Sequence, residues 1–166
     1  MKFSSMGGIA LAVICAATMT LAQGAQVAFG GLKQDASLPV EVTADQLRVD
    51  QATGIAEFSG NVLIGQGAMR LSADNVAVEY AQGDNPGQIA RMIATGNVVL
   101  VNGGEAAEAA RAEYTIDSAS IILSGNVLLT QGQNALSGER LIVDLNTGQG
   151  TMQGRVKTIF QPGAAQ

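Results

Sequence analysis

The sequence predicts an all-β protein built from repeated antiparallel strand pairs. A phrase centred on a glycine occurs as Ser59-Gly60-Asn61-Val62, Thr95-Gly96-Asn97-Val98 and Ser124-Gly125-Asn126-Val127, with a weaker copy at Gly154-Arg155-Val156. The glycines lie 36, 29 and 29 residues apart, a period typical of stacked supersecondary units. Apolar and polar residues alternate around each copy, as they do in half-buried strands. The chain also has 21 glycines and only three prolines, which suits a fold with many bends.

Composition narrows the classes of function. Of the 166 residues, 47% are hydrophobic and only 4% aromatic, so a core would be built mainly from aliphatic side chains. The formal charge of −5 argues against nucleic acid, which requires a basic face. The absence of His excludes a Ser-His or Cys-His dyad and a His-based metal site.

The first 22 residues have the pattern of a cleaved secretory signal peptide. Lys2 precedes an apolar run over 6–17, and Thr20-Leu21-Ala22 is the preferred cleavage signature, with Ala22-Gln23-Gly24 as the alternative. An uncleaved membrane anchor is the competing interpretation, but it would need ~20 consecutive apolar residues. Cys15 lies in the apolar run and would be removed with the signal. We therefore expect an exported chain with neither Cys nor His.

The mature chain is expected to begin with a flexible lead over 23–37, followed by a folded domain over 38–160. The first strand starts at Pro39, and its apolar and polar residues alternate from Val40 onward. The alternation continues to Phe58 and passes through Gly60 without a change of phase. This predicts a bend or bulge inside one strand. A two-residue Gly-Asn hairpin turn is the alternative.

Each repeat has two halves, an acid-flanked strand and a Gly-Asn-Val strand. The segment 44–50 is echoed by 73–79, and weaker copies occupy 113–117 and 140–144. The longest interval between the halves contains Gln82–Gly87, a turn-rich insertion that we place in a loop. Residues 105–112 are rich in Ala and Glu and have helix propensity. The repeat register nevertheless favours a strand there.

Acidic residues recur at matching points of successive repeats. They are Asp45, Asp50, Asp74, Glu79, Asp117, Glu139 and Asp144. A carboxylate pair for glycosidic-bond hydrolysis would be unique, whereas recurrence indicates a solvated rim. Calcium is the chemical alternative for oxygen ligands, but the Gly-Gly-x-Gly-x-Asp pattern is missing. We therefore expect no enzyme activity, no cofactor and no metal site.

Apolar residues of one strand phase define a candidate groove. They are Val40, Val42, Leu47, Val49, Phe58, Val62, Ile64, Met69, Leu71, Val76, Val78, Val98, Leu100, Tyr114, Ile116, Leu123, Val127, Leu129, Leu141 and Val143. An ordinary closed core explains any single one of them. Because bulky aromatics are scarce, facing aliphatic sheets could leave a lengthwise space for an acyl chain. At ~0.8 kcal/mol per CH₂, a chain of about twelve carbons gains on the order of 10 kcal/mol on leaving water.

Three phrases carry a resemblance to a known family. The segments 39–46, 56–67 and 71–76 resemble the OstA-like domain family of lipopolysaccharide-export periplasmic bridge proteins, the LptA family. The resemblance covers 38–160 and is most specific before Gly103. It implies a curled β-jellyroll with an apolar interior groove that carries lipopolysaccharide acyl chains across the periplasm.

The resemblance also implies partners. Members stack end to end with one another, with an inner-membrane-anchored OstA-like partner at the N-terminal edge and with the outer-membrane translocon at the C-terminal edge. Val40 and Val42 match groove positions near the N-terminal mouth, and Tyr114 and Ile116 match positions farther along. The chain departs from the family in its short tail, 161–166, from which we expect a free edge on the last strand.

The expected function is thus that of a periplasmic lipopolysaccharide-binding transport protein that bridges the two membranes and shields lipid A acyl chains. The alternative is a structural β-repeat protein with a filled interior, which assembles by edge-strand pairing without lipid cargo. A third hypothesis is a carbohydrate-active or calcium-binding β-solenoid, in which the repeated acids would be essential.

Overall fold

The computed structural model describes residues 25–28, 35, 37–82 and 87–160. Within these ranges the chain forms strands and no helix, which confirms the all-β prediction. The strands are β1 (Ala25–Ala28), β2 (Glu41–Thr43), β3 (Gln46–Asp50), β4 (Ile55–Gln66), β5 (Met69–Tyr80), β6 (Ile89–Asn102), β7 (Glu105–Thr115), β8 (Ser120–Gln131), β9 (Asn134–Asp144), β10 (Gln149–Gln153) and β11 (Lys157–Ile159). No helix long and apolar enough to cross a membrane occurs in the described ranges.

All strand pairs are antiparallel and belong to one sheet. The strand order is β1-β10-β9-β8-β7-β6-β5-β4-β2, with β3 also paired to β4 and β11 also paired to β9. Strands β4 to β9 are neighbours in both sequence and space, and turns of two to four residues join β4 to β5, β6 to β7, β7 to β8 and β8 to β9. The sheet therefore grows along the chain, one strand after another, as the repeat predicts.

The repeated Gly-Asn pairs bend the long strands. At the first bend Gly60 and Asn61 both have positive φ angles, +77° and +47°, and the β4–β5 register shifts between Ser59 and Val62. A Cβ on Gly60 would lie 2.5 Å from Oδ2 of Asp45, so the position requires glycine for space as well as for φ. The pairs lie inside β4, β6 and β8, which confirms the prediction of bends and excludes hairpin turns.

The bends divide the sheet into two layers. Layer A contains β1, β3, β10 and the segments 55–59, 75–79, 89–95, 111–115, 120–124 and 140–144. Layer B contains β2, β11 and the segments 62–66, 69–73, 98–102, 105–109, 127–131 and 134–138. One apolar cluster joins the inner faces of both layers. This is the curled β-jellyroll that the resemblance implies.

The alanine-rich segment is a strand, in agreement with the favoured interpretation. It forms most of β7, which pairs with β6 on one side and β8 on the other. Ala107 and Ala112 are buried, while Glu108 between them is exposed. Pairing on both sides satisfies the backbone of β7, and this tertiary context outweighs the helix propensity of alanine.

The two ends of the chain differ from expectation in one respect. The lead over 23–37 was expected to be flexible, but Ala25–Ala28 form β1, which pairs with β10 at the C-terminal end of the sheet. The expected free edge of the last strands is therefore only partly present. β1 covers β10 in layer A, whereas β11 in layer B pairs with β9 alone among the described strands. The signal segment 1–22 and the tail 161–166 lie outside the described residues.

Candidate functional site

The predicted groove residues lie on the inner faces of the two layers. Fourteen of the twenty are buried: Val62, Ile64, Met69, Leu71, Val76, Val78, Val98, Leu100, Tyr114, Leu123, Val127, Leu129, Leu141 and Val143. Val40, Val42, Phe58 and Ile116 are partly buried against this cluster. Leu47 and Val49 are 57% and 60% exposed. The strand phase assigned from the alternation thus places the set together, while a contact with lipid remains a prediction.

Several inner-face residues escaped the sequence interpretation. They are Ala56, Ala73, Met92, Ala94, Ala107, Ala112, Ala119, Ile121, Leu136 and Leu145, all buried. Most are alanines, whose small side chains carry a weak alternation signal. The signal was still present in β7, where Ala107 lies two residues before Ala109, and Ala112 two before Tyr114. These alanines let the two layers approach closely in the middle of the sheet.

The interior is packed in the middle of the sheet. Between the layers, Ile64, Met69 and Leu71 of layer B face Met92, Ala94, Ala112, Tyr114 and Ile121 of layer A around a void of about 10 Å³. A void of this size corresponds to about one water molecule. An acyl chain can therefore occupy this region only if the layers move apart.

The N-terminal end of the interior is open. Leu47 pairs with Phe58 and Val49 pairs with Ala56, so both β3 side chains share the inner face of layer A. Their high exposure follows from their position, because β3 is the last strand of layer A at this end. In layer B, Val42 pairs with Ile64 and also faces inward. The apolar lining is therefore accessible to solvent at the N-terminal mouth, which we define as Val40, Val42, Leu47 and Val49.

A buried polar contact joins the layers at the margin opposite the bends. The Tyr114 hydroxyl of layer A donates to Oε1 of Gln66 in layer B over 3.3 Å. Gln66 is buried and also donates from Nε2 to the carbonyl oxygen of Leu38, 2.9 Å away. Burial raises the pKa of Tyr114. At neutral pH the phenol is therefore protonated and can act as the donor that holds the margin closed.

Further polar residues line the same margin of layer B. Asn102 is buried, and Glu105 accepts a 2.9 Å hydrogen bond from Nε2 of Gln131 through Oε1. The other carboxylate oxygen of Glu105, Oε2, is buried without a hydrogen-bond partner. If the margin opened, water would hydrogen-bond to this oxygen and the free-energy penalty of burying it without a partner would be lost.

The repeated acids have structural roles at the sheet surface. Asp45 and Asp74 each accept a 2.8 Å hydrogen bond from the side chain of a bend asparagine, Asn61 and Asn97. Asp50 and Asp144 accept backbone N–H groups in two turns of the same form. No cluster of three or more His, Cys, Asp or Glu side chains suited to a metal ion occurs in the described ranges. Sequence reasoning recognised the rim but missed these partners.

The outer faces carry charge and shallow depressions. Arg91 donates to Glu79 over 2.6 Å and to Glu113 over 3.2 Å across neighbouring strands of layer A. These hydrogen bonds and charges raise the pKa of Arg91, which stays charged at any accessible pH. A depression of about 400 Å³ lies beside β3, β4, β5 and β6, and its lining is mixed polar and apolar. Neither feature resembles the continuous apolar lining of the interior.

Comparison with known proteins agrees with this geometry. Residues 41–149 match the family described as LptA/(LptD N-terminal domain) LPS transport protein. Among solved structures, the chain resembles LptH of Pseudomonas aeruginosa, described as the LptA homologous periplasmic component of the conserved lipopolysaccharide transport device. The TM-score is 0.68 at 18% identity, over 78% of this chain and 99% of LptH. No curated protein matches the sequence.

The family match spans most of the described sheet, from β2 to the start of β10. The likeness to LptH, which has low identity, supports the jellyroll fold. The matched family is one of transport proteins, which confirms the prediction that the chain is not an enzyme. The chain therefore belongs to the LptA/(LptD N-terminal domain) family of lipopolysaccharide transport proteins.

Proposed function

We propose that this chain is an exported periplasmic component of lipopolysaccharide transport that shields lipid A acyl chains between its two layers and bridges the inner and outer membranes. The observation that carries the proposal is the apolar inner face, which runs from strand to strand and reaches solvent at the N-terminal mouth. Leu47 and Val49 would offer an incoming acyl chain a contact before the layers separate.

Entry of the cargo requires the layers to part. The inner face is aliphatic, so an acyl chain replaces contacts between the layers with contacts of the same kind. Transfer of about twelve carbons from water supplies on the order of 10 kcal/mol, which would offset the separation of the layers. Opening at the margin of Gln66 and Tyr114 leaves the bends intact and exposes polar atoms that water can satisfy. The phosphorylated headgroup would remain outside at this margin.

The proposal assigns a direction to assembly. The N-terminal edge, β2 and β3, would meet the inner-membrane-anchored OstA-like partner, and the C-terminal edge, β10 and β11, would meet the outer-membrane translocon. In the described ranges, β2 and β3 at one end and β11 at the other each have one side without a paired strand, which favours addition of another strand. Copies of the chain would join end to end by the same pairing, and a cleaved signal peptide over 1–22 would deliver the chain to the periplasm.

A photo-crosslinking residue tests the cargo and the strand phase together. It would replace Val42 or Leu47 on the inner face and, as matched outer-face controls one residue away, Glu41 or Arg48. In cells that make lipopolysaccharide, we expect lipid adducts at the inner positions and none at the controls. Adducts are identified by mass and by a blot against lipopolysaccharide.

The second candidate is a structural β-repeat protein without cargo, which the packed middle of the interior favours. In that case the inner-face residues contact only one another and the edges carry the function. Absence of lipid adducts at both inner positions, from a protein that still joins its neighbours, would refute the carrier and support this candidate.

A further inference from the structure

The position of β1 is unusual for the first strand of a sheet that grows along the chain. Its register pairs Ala25 with Met152, Val27 with Gly150 and Ala28 with Gln149 at the C-terminal end. The next strand, β2, lies at the opposite end of the strand order. Eight inter-strand steps of about 4.8 Å separate the two ends, or about 38 Å along the sheet. β1 and β2, which are neighbours in the sequence of strands, thus form the two ends of the strand order.

The repeat predicts what belongs beside β10 and β11. Gly154 is the fourth copy of the repeat glycine and corresponds to Gly60 of β4, so β10 and β11 together correspond to β4. On the side of β4 away from β3 lies β5, which pairs Val76 with Phe58 and Val78 with Ala56. In the described ranges, the strand that lies beside β10 at this edge is β1, and β11 is paired only with β9.

A second copy of the chain contains a strand of the required pattern. The segment 44–50, which includes β3, is the sequence echo of 73–79 in β5. Transfer of the β4–β5 register to the C-terminal edge places Leu47 of the second copy opposite Met152 and Val49 opposite Gly150. In layer B the same transfer places Val42 opposite Thr158. These pairings keep every inner-face residue of the incoming edge on the inner face.

β1 already occupies this place in the same register and direction. Ala25 lies opposite Met152, where the repeat places Leu47, and Val27 lies opposite Gly150, where it places Val49. We infer that β1 is a built-in placeholder on the C-terminal edge, which gives way to β3 of a second copy when chains join end to end. The inference rests on the proposed end-to-end assembly and adds its register and its competitor.

Two features make β1 the weaker of the two strands. It forms four residue pairs with β10, whereas β3 would form five, from Gln46 opposite Gln153 to Asp50 opposite Gln149. Ala25 stands where Leu47 would bury a larger apolar side chain that is 57% exposed in the single chain. Displacement of β1 by β3 of a second copy is thus favoured.

Engineered disulfides test the placeholder, since Cys15→Ala leaves the full chain without other cysteines. The variant Q26C/T151C joins register partners of β1 and β10. When oxidised, it is expected to form an intrachain bond and to weaken end-to-end association at least about tenfold in sedimentation velocity, with recovery on reduction. Unchanged association of the oxidised monomer, or an interchain bond as its main product, would overturn the inference.

A mixture of two single-cysteine variants tests the incoming strand. R48C and T151C should form an interchain disulfide, because the transferred register places these positions opposite each other. R48C mixed with Q153C, two residues away on the same face, is the register control and should form far less. Equal yields would refute the register. Deletion of 25–28 should raise the R48C–T151C yield, and a lower yield would contradict displacement by β3.

These outcomes are separable from failure of the proposed function. The lipid adducts at Val42 and Leu47 report the cargo in a chain with an unmodified β1, while the disulfides report the edge with no lipid present. Loss of lipid adducts with the predicted disulfides intact would leave the placeholder standing on a structural protein. Predicted adducts with no R48C–T151C bond would leave a carrier whose edge works in another way.

Discussion

Asn97 of β6 donates from its side-chain amide to Oδ2 of Asp74 in the neighbouring β5 over 2.8 Å, and Asn61 repeats this contact with Asp45 one unit earlier. Each asparagine has a positive φ, a conformation that few residues other than Gly adopt without strain. The acid therefore satisfies a side chain that the bend itself requires. In both units, the bend and the asparagine–aspartate hydrogen bond that stabilises it therefore occur together.

The third bend lacks the aspartate of this hydrogen bond, and a substitution can supply it. Asn126 has a φ of +50°, but the position that corresponds to Asp74 is Ala110, whose Cβ lies beside Gly125. We expect Ala110→Asp to add a hydrogen bond to Asn126 and to raise the free energy of unfolding by about 1 kcal/mol. Urea denaturation measures the change. The gain should vanish in the double variant with Asn126→Ala; a gain that persists there would contradict the proposed bond.

The second bend should not tolerate a side chain on its glycine. Gly96 has a φ of +78°, and a Cβ there would collide with the carboxylate of Asp74. Gly96→Ala is expected to lower the free energy of unfolding by about 2 kcal/mol or more, from backbone strain and the displaced carboxylate together. Gly104→Ala is the matched control, because open space surrounds that position. Similar losses in the two variants would argue against the bend as the cause.

The contact between Tyr114 and Gln66 predicts a dependence on alkaline pH. Burial raises the pKa of Tyr114 in the folded chain, so the unfolded chain loses this proton first as the pH rises through about 10. The stability contributed by the neutral phenol is therefore present below that pH and is lost above it. Tyr114→Phe should lower stability at pH 7 by about 1 kcal/mol and reduce the alkaline loss. Urea midpoints from pH 7 to 11 test this, with Tyr80→Phe as the exposed control; an unchanged alkaline slope in Tyr114→Phe would be the contrary result.

A larger side chain in the middle of the interior should interfere with cargo. Ala112 lines the small void between the layers, which cannot hold three more carbon atoms. Ala112→Leu is expected to cost about 1–3 kcal/mol of stability through overpacking and to reduce lipid adducts farther along the sheet. Ala106→Leu, on the outer face of layer B, should leave both unchanged. Full adduct yield in Ala112→Leu would mean that the cargo does not pass this point.

The sequence allowed the strands, their phase and the bends to be predicted because each depends on local pattern. Val62 and Ile64 keep the alternating phase of Phe58, and the glycine at position 60 indicates a bend because glycine readily adopts a positive φ. The alanines of β7 were harder, since their burial depends on the approach of β6 and β8. The position of β1 could not be predicted from the sequence. The segment 25–28 is too short for a clear alternation, and its partner β10 lies more than 120 residues later in the chain. Likewise, nothing local to Tyr114 indicates Gln66.

The recurrence of the bends has a consequence for anything that moves between the layers. Beyond each bend the inner face offers the same succession of side chains, Val62 and Ile64, then Val98 and Leu100, then Val127 and Leu129. A ligand displaced by one unit would meet nearly the same surroundings as before, so its energy would change little. We expect such an interior to offer three nearly equivalent binding positions and none of much lower free energy, so that binding of a further molecule is enough to move the previous one along the sheet.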